Sequence, residues 1–211
     1  MKIREATPDD AAFLAWVKLI AARSHLTYGA WDHILELPEA KTLVFLENLC
    51  LSDAVHWCHY SRFLVAEVDG EPAAALCAFD PQLHGGHALD VEVVRLLRQS
   101  ESQADMREGA GRAAAVGSCM PDYADGAWVV ENVATRPAFR GRGIVQDLLD
   151  AALDRGREQG FRRGQIAVLV GNETARRAYL RASFEPDLEK RHPDFAAALG
   201  CPGIERLLRD L

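Results

Sequence analysis

The run Arg140-Gly141-Arg142-Gly143 offers the most pointed chemistry in the chain, because it stands directly before a helical pattern. From Ile144 onward Val145, Leu148, Leu149, Ala152 and Leu153 share one face of a helix, while Gln146, Asp150, Asp154 and Arg157 take the other. The first turn of any helix has N–H groups without intrahelical partners, and with the helix dipole they form an anion site. Glycines at 141 and 143 let the backbone approach an anion without a β-carbon in the way, and Arg140 and Arg142 add mobile positive charge. The expected guest is a phosphate or pyrophosphate. Two better-known phosphate loops are excluded, since GxxxxGK[ST] is absent and the GxGxxG series fails at Gln146. By themselves these four residues also fit an arginine-rich surface turn.

A second group lies downstream. Ile166-Ala167-Val168-Leu169-Val170 reads as a short buried strand, and Asn172 after it is suited to cap a helix with Glu173 in the first turn. Ala175, Ala178, Tyr179 and Ala182 then fall on one helical stripe. Tyr179 alone reads equally as a core aromatic.

The elements that must position these residues follow from local pattern. Val129, Val130 and Val133 mark a strand that passes through Thr135-Arg136-Pro137 into the basic turn, which gives the order strand, turn, helix start near Gly143. Upstream, Lys2 to Ala6 reads as a first strand. Thr7-Pro8-Asp9-Asp10 reads as a helix start with Thr7 as cap, leading into an apolar face of Phe13, Trp16, Val17 and Ile20. Further helix is expected from about Pro38 to His56. Phe63 to Val68 and Pro72 to Phe79, joined by Asp69-Gly70, form a hairpin. Residues 82 to 126 then separate the third strand from the fourth; they contain a helical stretch, Leu89 to Arg98, and a Gly/Ala/Asp-rich segment, Gln103 to Gly126.

The Arg140 to Val145 segment resembles the acyl-CoA loop of the GNAT superfamily of N-acetyltransferases. That pattern, Gln or Arg, two residues, Gly, one residue, Gly or Ala, is met by Arg140 and Gly143 and departs at Val145, which still offers its backbone N–H. Asn172 and Tyr179 match two further places of the superfamily: an Asn after the fifth strand that contacts the pantetheine arm, and a Tyr seven residues later near the sulfur. The resemblance implies an α/β (α+β) fold, a mixed central sheet flanked by helices, here carrying a helical insertion between the third and fourth strands. It implies an acetyl-CoA-dependent N-acetyltransferase that transfers directly to a primary amine. Asn132, Val133, Thr135, Arg140, Gly141, Arg142, Gly143, Ile144, Val145 and Asn172 would bind the cosubstrate. A backbone N–H around Asn132 or Val133 would polarise the carbonyl, and Val133 and Thr135 would pair with the pantetheine amides like an added strand. Tyr179 would protonate the sulfur.

For the base, Glu131 is the first choice: it sits on the central strand two residues before the pantetheine-pairing segment, and burial raises a carboxylate's pKa toward neutrality. His84, His87 or a water chain are the alternatives. The alternative to catalysis as a whole is a non-catalytic acyl-CoA-binding regulatory module of the same fold.

In the resembled family the segment between the first two helices often walls the acceptor site, so His25, Tyr28, Trp31 and His33 are candidates to touch substrate. Residues 82 to 126 are expected to shape the acceptor pocket or, alternatively, an oligomer surface such as that of a homodimer. The C-terminal part, Phe184 to Lys190 and Gly203 to Arg209, resembles the family's last two strands, although GIERLLRDL also has the leucine spacing of a short helix.

Composition bounds the rest. With 211 residues, 49% of them hydrophobic, and no linker-like stretch, the chain is read as one domain, 1–211. Its 24 Lys plus Arg against 31 Asp plus Glu give a formal charge of -7, which repels nucleic acid and anionic lipid and either favours a cationic amine, small molecule or peptide, or is indifferent to it. MKIREATPDD has no apolar signal core and no run of about 18 apolar residues occurs; a soluble, cytoplasmic protein is expected. Five scattered cysteines without a CxxC pair read as reduced thiols. His56 to Tyr60, HWCHY, is the one place that invites a metal reading; with no second ligand cluster, a packed helix end is preferred and no metal is expected.

Overall fold

The computed structural model describes residues 1–98 and 103–211, with side chains for all of these but 103–106. In chain order the elements are β1 (Lys2–Glu5), α1 (Ala11–Arg23), α2 (Ala30–Leu35), α3 (Glu39–Cys50), β2 (Phe63–Val68), β3 (Glu71–Phe79), α4 (Pro81–His84), α5 (Gly86–Arg98), α6 (Gln103–Gly117), β4 (Ala127–Thr135), α7 (Ile144–Glu158), β5 (Arg163–Leu169), α8 (Glu173–Arg181), β6 (Glu185–Arg191), α9 (Pro193–Leu199) and β7 (Gly203–Asp210). The strands form one sheet in the order β1-β2-β3-β4-β5-β7-β6. Only β4 and β5 run parallel among its described neighbours. The β2–β3 hairpin turns at Asp69 and Gly70, both with positive φ, as a two-residue turn of this hand requires.

Period-two alternation divides the sheet between two helical layers. Trp128 and Val130 of β4 join Leu148, Leu149 and Leu153 of α7 on one face, whereas Val129 joins Phe13, Leu14 and Val17 of α1 on the other. Gly156 of α7 lies so near Trp128 that a β-carbon there would stand 2.8 Å from the indole ring. Helix α1 is tied to α3 by Lys18, which is fully buried and donates to Leu46 O at 2.8 Å and Cys50 Sγ at 2.6 Å.

The β4–β5 pairing is short. Ala127 to Val130 pair with Arg163 to Ile166 and the register then ends. β4 continues along β3 as far as Thr135, and β5 along β7 as far as Leu169. Asn132 has φ +55°, and the β3–β4 register shifts between Ala75 and Cys77, so β4 carries a bulge where it parts from β5.

The insertion is helical and anchored, with its residues 99–102 outside the described ones. α5 buries Leu89, Leu96 and Leu97 against the cluster of Trp31, Leu46 and Leu49. α6, which the sequence shows only as a Gly/Ala/Asp-rich segment, packs Val116 with Phe195 and Leu199 of α9, and its Arg112 donates to Ile34 O at 3.1 Å. Beyond it, Ala124 N–H is held by Gln165 Oε1 at 2.7 Å.

Several local expectations change. The helix expected over 38–56 ends at Cys50, and HWCHY lies after it in turns. His56 is buried there, accepting from Cys58 N–H at 3.1 Å and sharing a 3.0 Å bond with Ser52 Oγ; burial, then the charge of Lys18, pushes its pKa down to about 4. It is a neutral core histidine. No cluster of three or more His, Cys, Asp or Glu that could hold a metal occurs among the described residues. Thr7 does not cap with its hydroxyl, which donates to Asp10; the Asp10 carboxylate instead receives Thr7 N–H at 2.8 Å and the Arg4 guanidinium. GIERLLRDL is strand β7, because its alternate residues pair between β5 and β6 and tertiary pairing overrides the leucine spacing.

Replacing Gly156 by Ala tests the α7–β4 contact. On an open helix surface this change would stabilise by about 1 kcal/mol, but here the added carbon overpacks Trp128, at a cost of about 1–3 kcal/mol. The urea midpoint of Gly156→Ala is expected to fall, and a rise would show that the ring yields without cost.

Candidate active site

Between the diverging ends of β4 and β5 lies a cavity of about 1210 Å³. Successive residues of both strands border it, Glu131 to Thr135 from β4 and Ile166 to Leu169 from β5. Since neighbours along a strand point to opposite faces, the cavity passes through the sheet. It joins the α7–α8 side to the side of α1, α2 and α5.

At the α7 end the basic turn presents bare amides and two arginines to the cavity. Gly141 and Gly143 have φ of +76° and +80°, and a β-carbon at either would meet open space. Glycine is needed for the backbone conformation rather than for room inside the protein. The amides of residues 141–145 have no protein acceptor among the described residues, while Gln146 N–H already bonds Gly143 O at 2.9 Å. Arg140 donates to Thr135 O at 3.2 Å and Arg142 to Ala138 O at 3.0 Å with its guanidinium over Phe139, which leaves both exposed arginines beside the free amides. Ile144 and Val145 also line the cavity.

In the gap itself, Thr135 Oγ1 is buried without a hydrogen-bond partner. A buried hydroxyl left unpaired costs about 1–3 kcal/mol, so this one suits a polar ligand lying along β4. Asn132 and Val133 border the same gap beyond the last β4–β5 pair. Glu131 and Tyr179 meet here from different elements. Burial alone pushes the Glu131 carboxyl up to about 7. The Tyr179 pKa is raised above its ordinary value by burial first and by the charge of Glu131 second, so its proton stays on. The two groups lining the cavity thus differ in state at neutral pH, the carboxyl near its midpoint and the phenol protonated.

Asn172 caps α8 as its sequence suggests, accepting from Ala175 N–H at 3.1 Å. Its amide also donates to Ser24 Oγ at 2.6 Å, a link across the cavity wall to the end of α1 that no sequence signal foretold. Ser24 has the unusual backbone of φ 58°, ψ −116°. Of the acceptor-wall candidates, His25 and Trp31 line the cavity; Tyr28 and His33 do not, but pair edge to face with each other. His84 bonds Arg62 at 3.2 Å and His87 borders a separate surface hollow, so neither alternative base stands in the cavity with Tyr179. Trp57, which stacks on Phe79, and Asp90 of α5 do line it. Sequence reasoning missed both, Trp57 because it lies within the HWCHY run, where the histidines and cysteine drew the reading, and Asp90 because it is one acid on an amphipathic helix.

Comparison with known proteins accords with this geometry. The model of the acetyltransferase (GNAT) family matches residues 31–184. No curated protein sequence matches at a significant level. Among solved structures, an N-acetyltransferase from Staphylococcus aureus Mu50 is 21% identical over 99% of this chain and 100% of its own, with a TM-score of 0.70. A Drosophila melanogaster polyamine N-acetyltransferase that forms N-acetylagmatine is 16% identical over 100% and 99%, with a TM-score of 0.57. The yncA protein of Salmonella typhimurium, solved with its cofactor acetyl-CoA, is 15% identical over 100% and 94%, also at 0.57. At these identities the likeness is one of fold.

Gly143→Glu puts a β-carbon at φ +80°, which costs about 1–3 kcal/mol, and a negative charge beside the bare amides. Calorimetric titration with acetyl-CoA is expected to show affinity at least about tenfold weaker than wild type; unchanged affinity would mean that the loop does not hold this ligand.

Proposed function

Because the chain belongs to the GNAT family of acetyltransferases, we propose that it moves an acetyl group from acetyl-CoA directly to a primary amine, with Glu131 as base and Tyr179 as acid. The supporting observation is the cavity through the sheet, which connects unpaired loop amides at one end with Glu131 and Tyr179 in its middle.

Acetyl-CoA supplies a thioester-activated acetyl group and a diphosphate. The amides of residues 141–145, with Arg140 and Arg142, hold the diphosphate by charge-assisted hydrogen bonds. Beyond Val130 the open edge of β4 receives the pantetheine amides in place of β5, with Val133 and Thr135 as partners, and an N–H near Asn132 or Val133 polarises the carbonyl. Asn172 retains donor capacity toward the same arm after bonding Ser24.

Glu131 takes a proton from the acceptor ammonium and frees its lone pair for attack. The C–N bond forms, the C–S bond breaks, and Tyr179 donates its proton to the departing sulfur. The ammonium loses two protons in all, one of which replaces the Tyr179 proton while the other leaves through Glu131 to solvent. Burial keeps the Tyr179 phenol protonated at neutral pH, so its proton is in place when the sulfur departs.

Tyr179→Phe should lower kcat by about 10²-fold or more, with acetyl-CoA affinity near wild type. Acetyl-CoA binding without turnover on any amine by the wild-type protein would instead favour the regulatory module.

Glu131 adds a pH signature with a defined sign. Its pKa is raised from 4.5 to about 7, so kcat/KM should climb through about pH 7 as the base forms, and Glu131→Gln should lose both the activity and this limb. In the folded state the carboxyl binds its proton more tightly than in the unfolded chain, so wild-type stability is lost as pH rises from 4.5 to 7. Across that window the melting temperature of Glu131→Gln should gain on wild type; parallel curves would show an unperturbed carboxyl.

A further inference from the structure

The far end of the cavity has a chemistry that narrows the acceptor, an inference that rests on the acetyl-transfer reading above. The guanidinium groups bordering the cavity are those of Arg140, Arg142 and Arg181, in the loop and at the end of α8. On the α1–α5 side no Lys or Arg borders it among the described residues. That side is walled by Trp31 and Trp57 and by the aliphatic side chains of Leu89, Val93 and Val116. Its carboxylates are Glu131 within and Asp90 on α5.

Asp90 is exposed and also borders the surface hollow beside His87 and Arg95, so it stands where the cavity meets solvent. Arg95 does not neutralise it, being engaged with Glu92 at 2.9 and 3.0 Å. Tyr123 connects the two acids: its pKa is raised by burial first, then by Glu131, with Asp90 among the further causes, so both carboxylates act on one neighbourhood.

We propose that the acceptor is a small primary amine with an apolar, preferably aromatic, body and no carboxylate, drawn in by Asp90 at the mouth and seated against Trp31 and Trp57 with its nitrogen at Glu131. An ammonium gains from Asp90 by charge and from the indole faces by cation–π attraction. An amino acid or a peptide C-terminus would bring a carboxylate toward two like charges, with no Lys or Arg lining the cavity on that side among the described residues to receive it. Spermidine, with one ammonium at Glu131 and another at Asp90, would leave its third among Leu89, Val93 and Val116, where a charge without a partner is costly. A lysine side chain within a protein would have to pass the wall that α5 and α6 build over the cavity.

The test follows CoA release with a thiol reagent, using acetyl-CoA and phenethylamine, tryptamine, phenylalanine, spermidine and a lysine-bearing peptide. Phenethylamine and tryptamine are expected to exceed the other three in kcat/KM by about tenfold or more. Asp90→Lys, an exposed replacement, is expected to lower phenethylamine kcat/KM by about tenfold and to narrow its lead over phenylalanine, while calorimetric acetyl-CoA affinity stays at the wild-type value. Preference for phenylalanine, spermidine or the peptide would overturn this acceptor class and leave acetyl transfer standing. An unchanged lead in Asp90→Lys would overturn the role of Asp90. Acetyl-CoA binding with no turnover on any of the five amines would overturn the acetyl-transfer reading itself, and this inference with it.

Discussion

Two parallel strands that begin hydrogen-bonded and then part are the feature on which the rest of the molecule depends. β4 and β5 stay paired through Val130 and Ile166, and beyond that each keeps only its outer partner. A sheet tolerates such a split only if something else satisfies the exposed edge. Here the bulge at Asn132, with its left-handed backbone, turns β4 aside, and the opening leaves main-chain groups and the Thr135 hydroxyl facing a cavity. The same opening brings Glu131 beside the split with burial but no opposing charge, which is why its carboxyl is held near neutrality instead of in the usual acidic range.

The surroundings of the split are held firmly on both sides. Trp128 at the paired end of β4 packs closely on Gly156 near the C-terminal end of α7, which fixes that helix against the strand. On the opposite face Lys18 binds α1 to α3 through a carbonyl and a thiol within the core. A lysine buried in this way needs partners, and the well-packed α1 then carries Ser24 and His25 to the cavity wall, where Asn172 meets them from α8.

Charge is distributed along the cavity in a manner that net charge conceals. The chain is acidic overall at -7, yet the α7 end gathers guanidinium groups and bare amides while the α5 end offers carboxylates and indoles. The two ends of the passage therefore differ in charge, with Glu131 and Tyr179 lining it between them.

Helices α1, α3, α5, α7 and α8, the hairpin and the glycine-spaced basic turn were legible in the sequence because their signals are local: apolar period, glycine spacing, a capping asparagine. Arg140 to Val145, Asn172 and Tyr179 could be picked out from their spacing and from the family resemblance it carries. α6 was not, since glycines at 109, 111 and 117 weaken helix propensity and only packing against α2 and α9 sustains it. For β7 the family resemblance indicated a strand where the leucine spacing also fitted a helix, and pairing with β5 and β6 decides for the strand. By itself the sequence determined the local elements and the glycine-spaced basic turn before α7. Only the tertiary structure decided that β4 leaves β5 at Val130, that His84 and His87 stand outside the cavity while Trp57 and Asp90 line it, and that Ser24 bonds Asn172. Each of these joins residues far apart along the chain, and no local pattern encodes such a meeting.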